Sequence, residues 1–132
     1  MSSLLEPDQN GWDGQGWNDI KLRYPVIVRT IDDYCAEHDI KAIDILKTDT
    51  QGYDLEVLKG AENILESRRI HLVYTEINLS TMYEGQASFD EIYRFLSDRD
   101  FTLVSVYELH ARWMDCLFVN SSFGPNTDRQ AV

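Results

Sequence analysis

The sequence predicts an α/β fold, a mostly parallel sheet closed by a C-terminal antiparallel hairpin. Three observations carry this expectation. Apolar, β-branched runs alternate with segments of helical spacing. Residues 43–61 pass from a short strand through a polar turn directly into a helix. The last two extended runs are separated only by His110, Ala111, Arg112 and Trp113, a hairpin-length connection. The expected order is helix, strand, helix, strand, helix, strand, strand, with right-handed crossovers between the parallel strands.

The 132 residues allow one modest domain with its own core. Residues 1–21 read as a glycine-rich polar lead-in, 22–120 as the α/β domain and 121–132 as a tail. In the lead-in, Trp12 and Trp17 stand among turn formers and are expected to pin a loop onto the core. Residues 24–29 carry Pro25 and the run Val26, Ile27, Val28, and so read as a short extended piece. Thr30 is placed to cap the next helix, with Asp33 three residues on. Ile31, Tyr34, Cys35 and His38 share one face of it, and His38 at its end suits the helix dipole.

Ile43, Ile45 and Leu46 form the next strand. Leu55, Val57, Leu58, Ala61, Ile64 and Leu65 then follow at helical spacing, in a helix expected to start near Gln51. Residues 70–77 are apolar on both faces until their end, as a buried parallel strand should be; His71 near its start reads as structural. The loop 78–87 has Met82 and Tyr83 as apolar anchors. Ser88 and Glu91 form a capping box, and Phe89, Ile92, Tyr93 and Leu96 give the inward face of the helix that follows. Residues 101–109 and 114–120 make the closing hairpin.

Twelve basic and 23 acidic residues give a net charge of −11, which repels nucleic acid and anionic membranes at long range. Neither a signal peptide nor an apolar stretch near the length of a membrane span is present. Cys35 and Cys116 lack partners at metal-ligand spacing and sit among apolar neighbours, so both read as buried free thiols of a reducing, cytoplasmic protein.

The run Lys47-Thr-Asp49-Thr-Gln51-Gly52-Tyr-Asp54-Leu-Glu-Val-Leu58-Lys-Gly60-Ala61 resembles the lysine–x–aspartate–x–glutamate–glycine–x–glutamate signature of the FkbM family of S-adenosylmethionine-dependent methyltransferases. Thr30-Ile-Asp32-Asp33, Tyr74-Thr-Glu76 and Asp115-Cys-Leu117-Phe118-Val119-Asn120 resemble flanking segments of that family, in order. Gln51 and Asp54 stand where the family has glutamates. The resemblance implies the C-terminal half of a Rossmann-like methyltransferase fold, with S-adenosylmethionine as cofactor and a hydroxyl of a sugar or natural product as acceptor. No strand leads into a glycine-rich turn that opens a helix, the element that cradles the cofactor in the family. Ser2-Ser3-Leu4 resembles the segment that follows that element. The chain alone is therefore expected to bind the cofactor weakly or not at all.

Asp49 and Glu76 fall where two adjacent parallel strands should end, about 4.8 Å apart. The expected catalytic residues are Asp49 and Glu76; the expected cofactor-binding residues are Asp49, Thr50 and Gln51. Plainer roles are open beside these: Asp49 or Thr50 as helix cap, Glu76 as a solvated strand end, Asp54 as a first-turn charge. The competing reading is a non-catalytic α/β domain that serves as an assembly or binding module. With few edge defences on strand 43–48, its edge should be covered by residues 24–29, by a second copy in a homodimer, or by an N-terminal half.

Overall fold

A computed structural model describes residues 3–8 and 22–123. Trp12 and Trp17, and the tail beyond Phe123, lie outside the described residues. The elements are α1 (Ile31–Glu37), β1 (Ile43–Thr48), α2 (Asp54–Lys59), α3 (Glu62–Glu66), β2 (Ile70–Asn78), α4 (Phe89–Ser97), β3 (Phe101–Tyr107) and β4 (Trp113–Asn120), followed by a single 3₁₀ turn at Ser121–Phe123.

The four strands form one mixed sheet in the order β1-β2-β4-β3. β1 and β2 pair in parallel. β4 inserts between β2 and β3 and pairs antiparallel with both. The expected mostly parallel sheet is therefore corrected: two of its three interfaces are antiparallel. The reversed strand sits inside the sheet instead of at its margin. β3 is displaced outward, although it runs in the direction of β1 and β2.

β2 also differs from expectation. Val73, Thr75 and Ile77 are buried while Leu72, Tyr74 and Glu76 are half-exposed. β4 shows the same alternation, with Met114, Cys116, Phe118 and Asn120 inward. Only one face of the sheet is covered, so the strands follow the period-2 pattern of a half-buried sheet. The core on the covered face joins Leu58, Ile64, Leu65, Ile70, Val73, Ile77, Ile92, Leu96 and Phe118. Both cysteines are free and buried.

Thr30 caps α1 as expected, its hydroxyl accepting from Asp33 N. His38 closes the helix, Nδ1 lying 2.9 Å from Tyr34 O. The expected single helix after β1 is two short ones. At the break, Asp32 N donates to Gly60 O. The Asp32 carboxylate then receives Asn63 N, Asn63 Nδ2 and Ile64 N at 2.9–3.0 Å. A carboxylate on α1 thus caps α3, satisfying amides that the chain's own preceding residue leaves unpaired. The α4 capping box forms, with Ser88 N donating to Glu91 at 2.8 Å.

Residues 22–30 are exposed and make no strand; Ile27 is 95% exposed. Residues 24–29, one of the three covers considered for the β1 edge, form no strand on it; the segment is short and contains Pro25. Among the described residues β1 is therefore an open edge. The closing hairpin is also shorter than expected: β3 ends at Tyr107, and Leu109 is exposed.

Leu58 is fully buried in the core. Leu58→Ala is expected to cost about 2–5 kcal/mol, read as a large drop in the thermal midpoint by circular dichroism. A midpoint within a few degrees of the parent would remove Leu58 from the core.

Candidate functional site

The site lies at the C-terminal ends of β1 and β2. Parallel register pairs Thr48 with Thr75, and their hydroxyls meet at 2.7 Å in the buried layer beneath. One residue further on, Asp49 and Glu76 emerge side by side, as the sequence predicts. On its other flank Glu76 is paired with Asp115 of β4. A carboxylate thus stands between two others, and like charges directly opposite one another are unfavourable. Asp115 in turn accepts from Tyr74 Oη at 2.9 Å.

The turn after β1 is tighter than expected. α2 begins at Asp54, not near Gln51, and neither Asp49 nor Thr50 caps it. Gln51 adopts φ 55° and Gly52 φ 94°, a left-handed pair that reverses the chain and delays the helix. Instead Asp54, only 1% exposed, folds back and accepts from Thr50 N at 3.1 Å. Asp54 thus stands in the first turn of α2, as expected, and also holds the turn before it.

Gln51 joins the two predicted carboxylates. Its Nε2 donates to Asp49 Oδ1 at 3.0 Å and to Glu76 Oε1 at 3.3 Å. Its Oε1 accepts from Tyr83 Oη at 2.9 Å, and its backbone carbonyl accepts from Ser3 Oγ at 2.8 Å. Glycine is required next to it: a Cβ at Gly52 would sit 2.9 Å from Tyr83 Cδ2 and 3.3 Å from Leu5 Cδ1. The loop after β2 and residues 3–8 pack together there, with Asp8 N donating to Met82 O and Glu84 N to Glu6 O. Gln86 braces the loop, its Oε1 accepting from Met82 N and Tyr83 N.

The charges are distributed unevenly. At Asp49 burial works upward, but bonds from Lys47 and Gln51 outweigh it and hold the carboxyl below its ordinary range. Lys47 Nζ lies 3.1 Å from Asp49 Oδ2 in an exposed pair, which by itself is weak. Burial pushes Asp54 up against its bonds to the turn. Glu76 is pushed up to about 7, first by burial and then by the charges of Asp49, Asp54 and Asp115, with Lys47 opposing. Burial and the charges of Glu76 and Asp49 push Tyr83 up to about 12. A carboxyl near 7 beside one that stays ionised is the division of labour suited to proton transfer at neutral pH.

Sequence reasoning located Asp49, Thr50, Gln51 and Glu76, and the structure brings all four to one place. It missed Tyr83 and Ser3, which reach the turn from distant segments. It also left out the Thr48–Thr75 pair, whose signal was a polar residue in each apolar strand just before the acid. Among the described residues no group of three or more His, Cys, Asp or Glu side chains is arranged to hold a metal ion, and no helix is long and apolar enough to cross a membrane.

Because the folded protein holds the Glu76 proton to about pH 7 while an unfolded glutamate releases it near 4.5, Glu76 makes stability fall as pH rises between those values. Glu76→Gln is expected to flatten the decline of the thermal midpoint from pH 5 to pH 7. An unchanged decline would contradict the raised carboxyl.

The chain was compared with known proteins. The Methyltransferase FkbM domain profile matches residues 5–103. The 2-O-methyltransferase NoeI of Sinorhizobium fredii (strain NBRC 101917 / NGR234) is 33% identical over 88 residues, which are 65% of this chain and 35% of that protein. The chain thus spans about a third of the length of that curated relative. No solved structure matches. With the profile covering three quarters of the chain, the chain belongs to the FkbM methyltransferase family.

Proposed function

We propose that the chain supplies the acceptor-facing part of an S-adenosylmethionine-dependent O-methyltransferase acting on a hydroxyl of a sugar or natural product. One observation carries the reading: an acidic pair at the ends of parallel strands, one carboxyl held ionised and the other raised to about 7. The relative's 2-O-methyltransferase activity supports a hydroxyl acceptor. The site suits the cofactor because, among the described residues, carboxylates outnumber the one cation acting on Asp49 and Glu76, Lys47, and so favour a cationic sulfonium. Bound there, the cofactor would supply an electrophilic methyl group. Asp49 would face it, flanked by Thr50 and by Gln51, whose amide bonds Asp49. Glu76 would hold the acceptor's hydroxyl and take its proton on the carboxylate. The loop after β2 adjoins Glu76 and shapes the acceptor side. It lines an open cleft with Asn78, Ser80, Thr81 and Gln86.

Among the described residues no strand leads into a glycine-rich turn that opens a helix, so the chain alone is expected to bind S-adenosylmethionine with Kd above roughly 1 mM. At millimolar ligand, amide shifts should move at Asp49, Thr50 and Glu76. They should move more with S-adenosylmethionine than with S-adenosylhomocysteine, which lacks the positive sulfur. Equal shifts with both ligands, or shifts elsewhere, would overturn the site. Micromolar affinity would overturn the view that the cradle is partial.

A second reading, assembly, is favoured by the open edge of β1 and the half-bare sheet face, where Ile45 is 60% exposed. Unpaired backbone beside apolar side chains is a template for association. We infer a homodimer through this edge. Light scattering at micromolar concentration is expected to give twice the 15.3 kDa chain mass, reduced to the monomer by Ile45→Lys. A mass of one chain at every concentration would contradict the homodimer.

A further inference from the structure

Gln51 is an uncharged side chain lodged between two acids of the site, and both polar atoms of its amide are engaged. Nε2 reaches Asp49 on the β1 side and Glu76 on β2, while Oε1 takes the Tyr83 hydroxyl from the loop. This fixes which way the amide points. Turned over, it would set its oxygen against the Asp49 carboxylate, an acceptor that cannot donate. The backbone is fixed as well, at φ 55°, with Ser3 Oγ on its carbonyl. Because the side chain is satisfied from both ends, its room for a direct contact to a ligand is small.

We propose that Gln51 is a positioning residue: its neutral amide holds Asp49 and Glu76 as a pair and couples their placement to the loop after β2 through Tyr83. The proposal rests on reading Asp49 and Glu76 as the site. It concerns how the pair is held, and its test needs neither cofactor nor acceptor. A glutamate at this position would exchange a shared donor for a third carboxylate. The amide lets two acids stay adjacent while Glu76 changes protonation, since it donates to the charged form and adds no charge of its own.

The groups facing Glu76 are Asp49 and Lys47 from β1 and its turn, Asp54 from α2, Asp115 from β4 and the Tyr83 hydroxyl from the loop. Gln51 supplies a hydrogen bond from the turn. Removing it withdraws support from the ionised form, so the Glu76 midpoint must rise.

The test is the titration of the Glu76 side-chain carboxyl by carbon-detected NMR on the full 132-residue chain. Gln51→Asn keeps a side chain that tolerates the left-handed backbone but is one methylene too short to span both acids. Gln51→Glu adds the charge. Tyr83→Phe removes only the hydroxyl that orients the amide. The Glu76 midpoint is expected to rise by about half a pH unit or more in Gln51→Asn, to rise further in Gln51→Glu, and to rise by a smaller amount in Tyr83→Phe. A purely structural role would lower the thermal midpoint without moving this titration. Should a Gln51 variant fail to fold, Tyr83→Phe decides: an unmoved Glu76 midpoint there overturns the proposal. Unmoved midpoints in the folded Gln51 variants overturn it equally.

Discussion

Two carboxylates on neighbouring parallel strands repel, and the rest of this structure follows from how that repulsion is managed. Parallel register puts Asp49 beside Glu76, and the antiparallel entry of β4 puts Asp115 on the other flank. Burial sharpens the conflict because it weakens the solvent screening that would separate the charges. The protein answers with unequal support. Asp49 receives bonds from both Lys47 and Gln51, whereas Glu76 shares the longer bond of the Gln51 amide and feels Lys47 from farther off. One carboxyl stays ionised and the other is left near neutrality.

Holding an amide between two acids requires a backbone that most residues resist. Gln51 sits in left-handed space, Gly52 follows it there, and the approach of Tyr83 and Leu5 leaves no room for a side chain at position 52. Asp54 anchors the start of the turn and is buried to do so. The break between α2 and α3 belongs to the same logic of borrowed caps, since Asp32 satisfies the amides that Gly60 and Ala61 cannot. Local strain at the site is held in place by side chains from three separate parts of the chain.

The strands and helices were legible where a period was sustained. Residues 43–48 and 70–78, the Thr30 cap and the Ser88–Glu91 box needed only local chemistry. The position of β4 was not legible, because a hairpin signal fixes the pairing of β3 with β4 and says nothing of which one also meets β2. The open face of β2 was hidden too: an apolar run looks the same whether one or both faces are covered. At the site, Asp49 and Glu76 were found because strand ends collect ligands in α/β sheets. Asp54 was placed in the first helical turn, where it lies, but its reach back to Thr50 N was not legible because it depends on a turn that two positive φ angles create. Tyr83 and Ser3 come from 32 and 48 residues away, beyond any local pattern.

The central claim is that one oriented amide separates the two acids. The most direct measurement is the pH dependence of the Gln51 side-chain NH₂ resonances, assigned by their loss in a Gln51 variant. The account predicts a pair of shifts displaced from free glutamine that move with a midpoint near 7, following Glu76. Shifts like those of free glutamine, flat across that range, would contradict it.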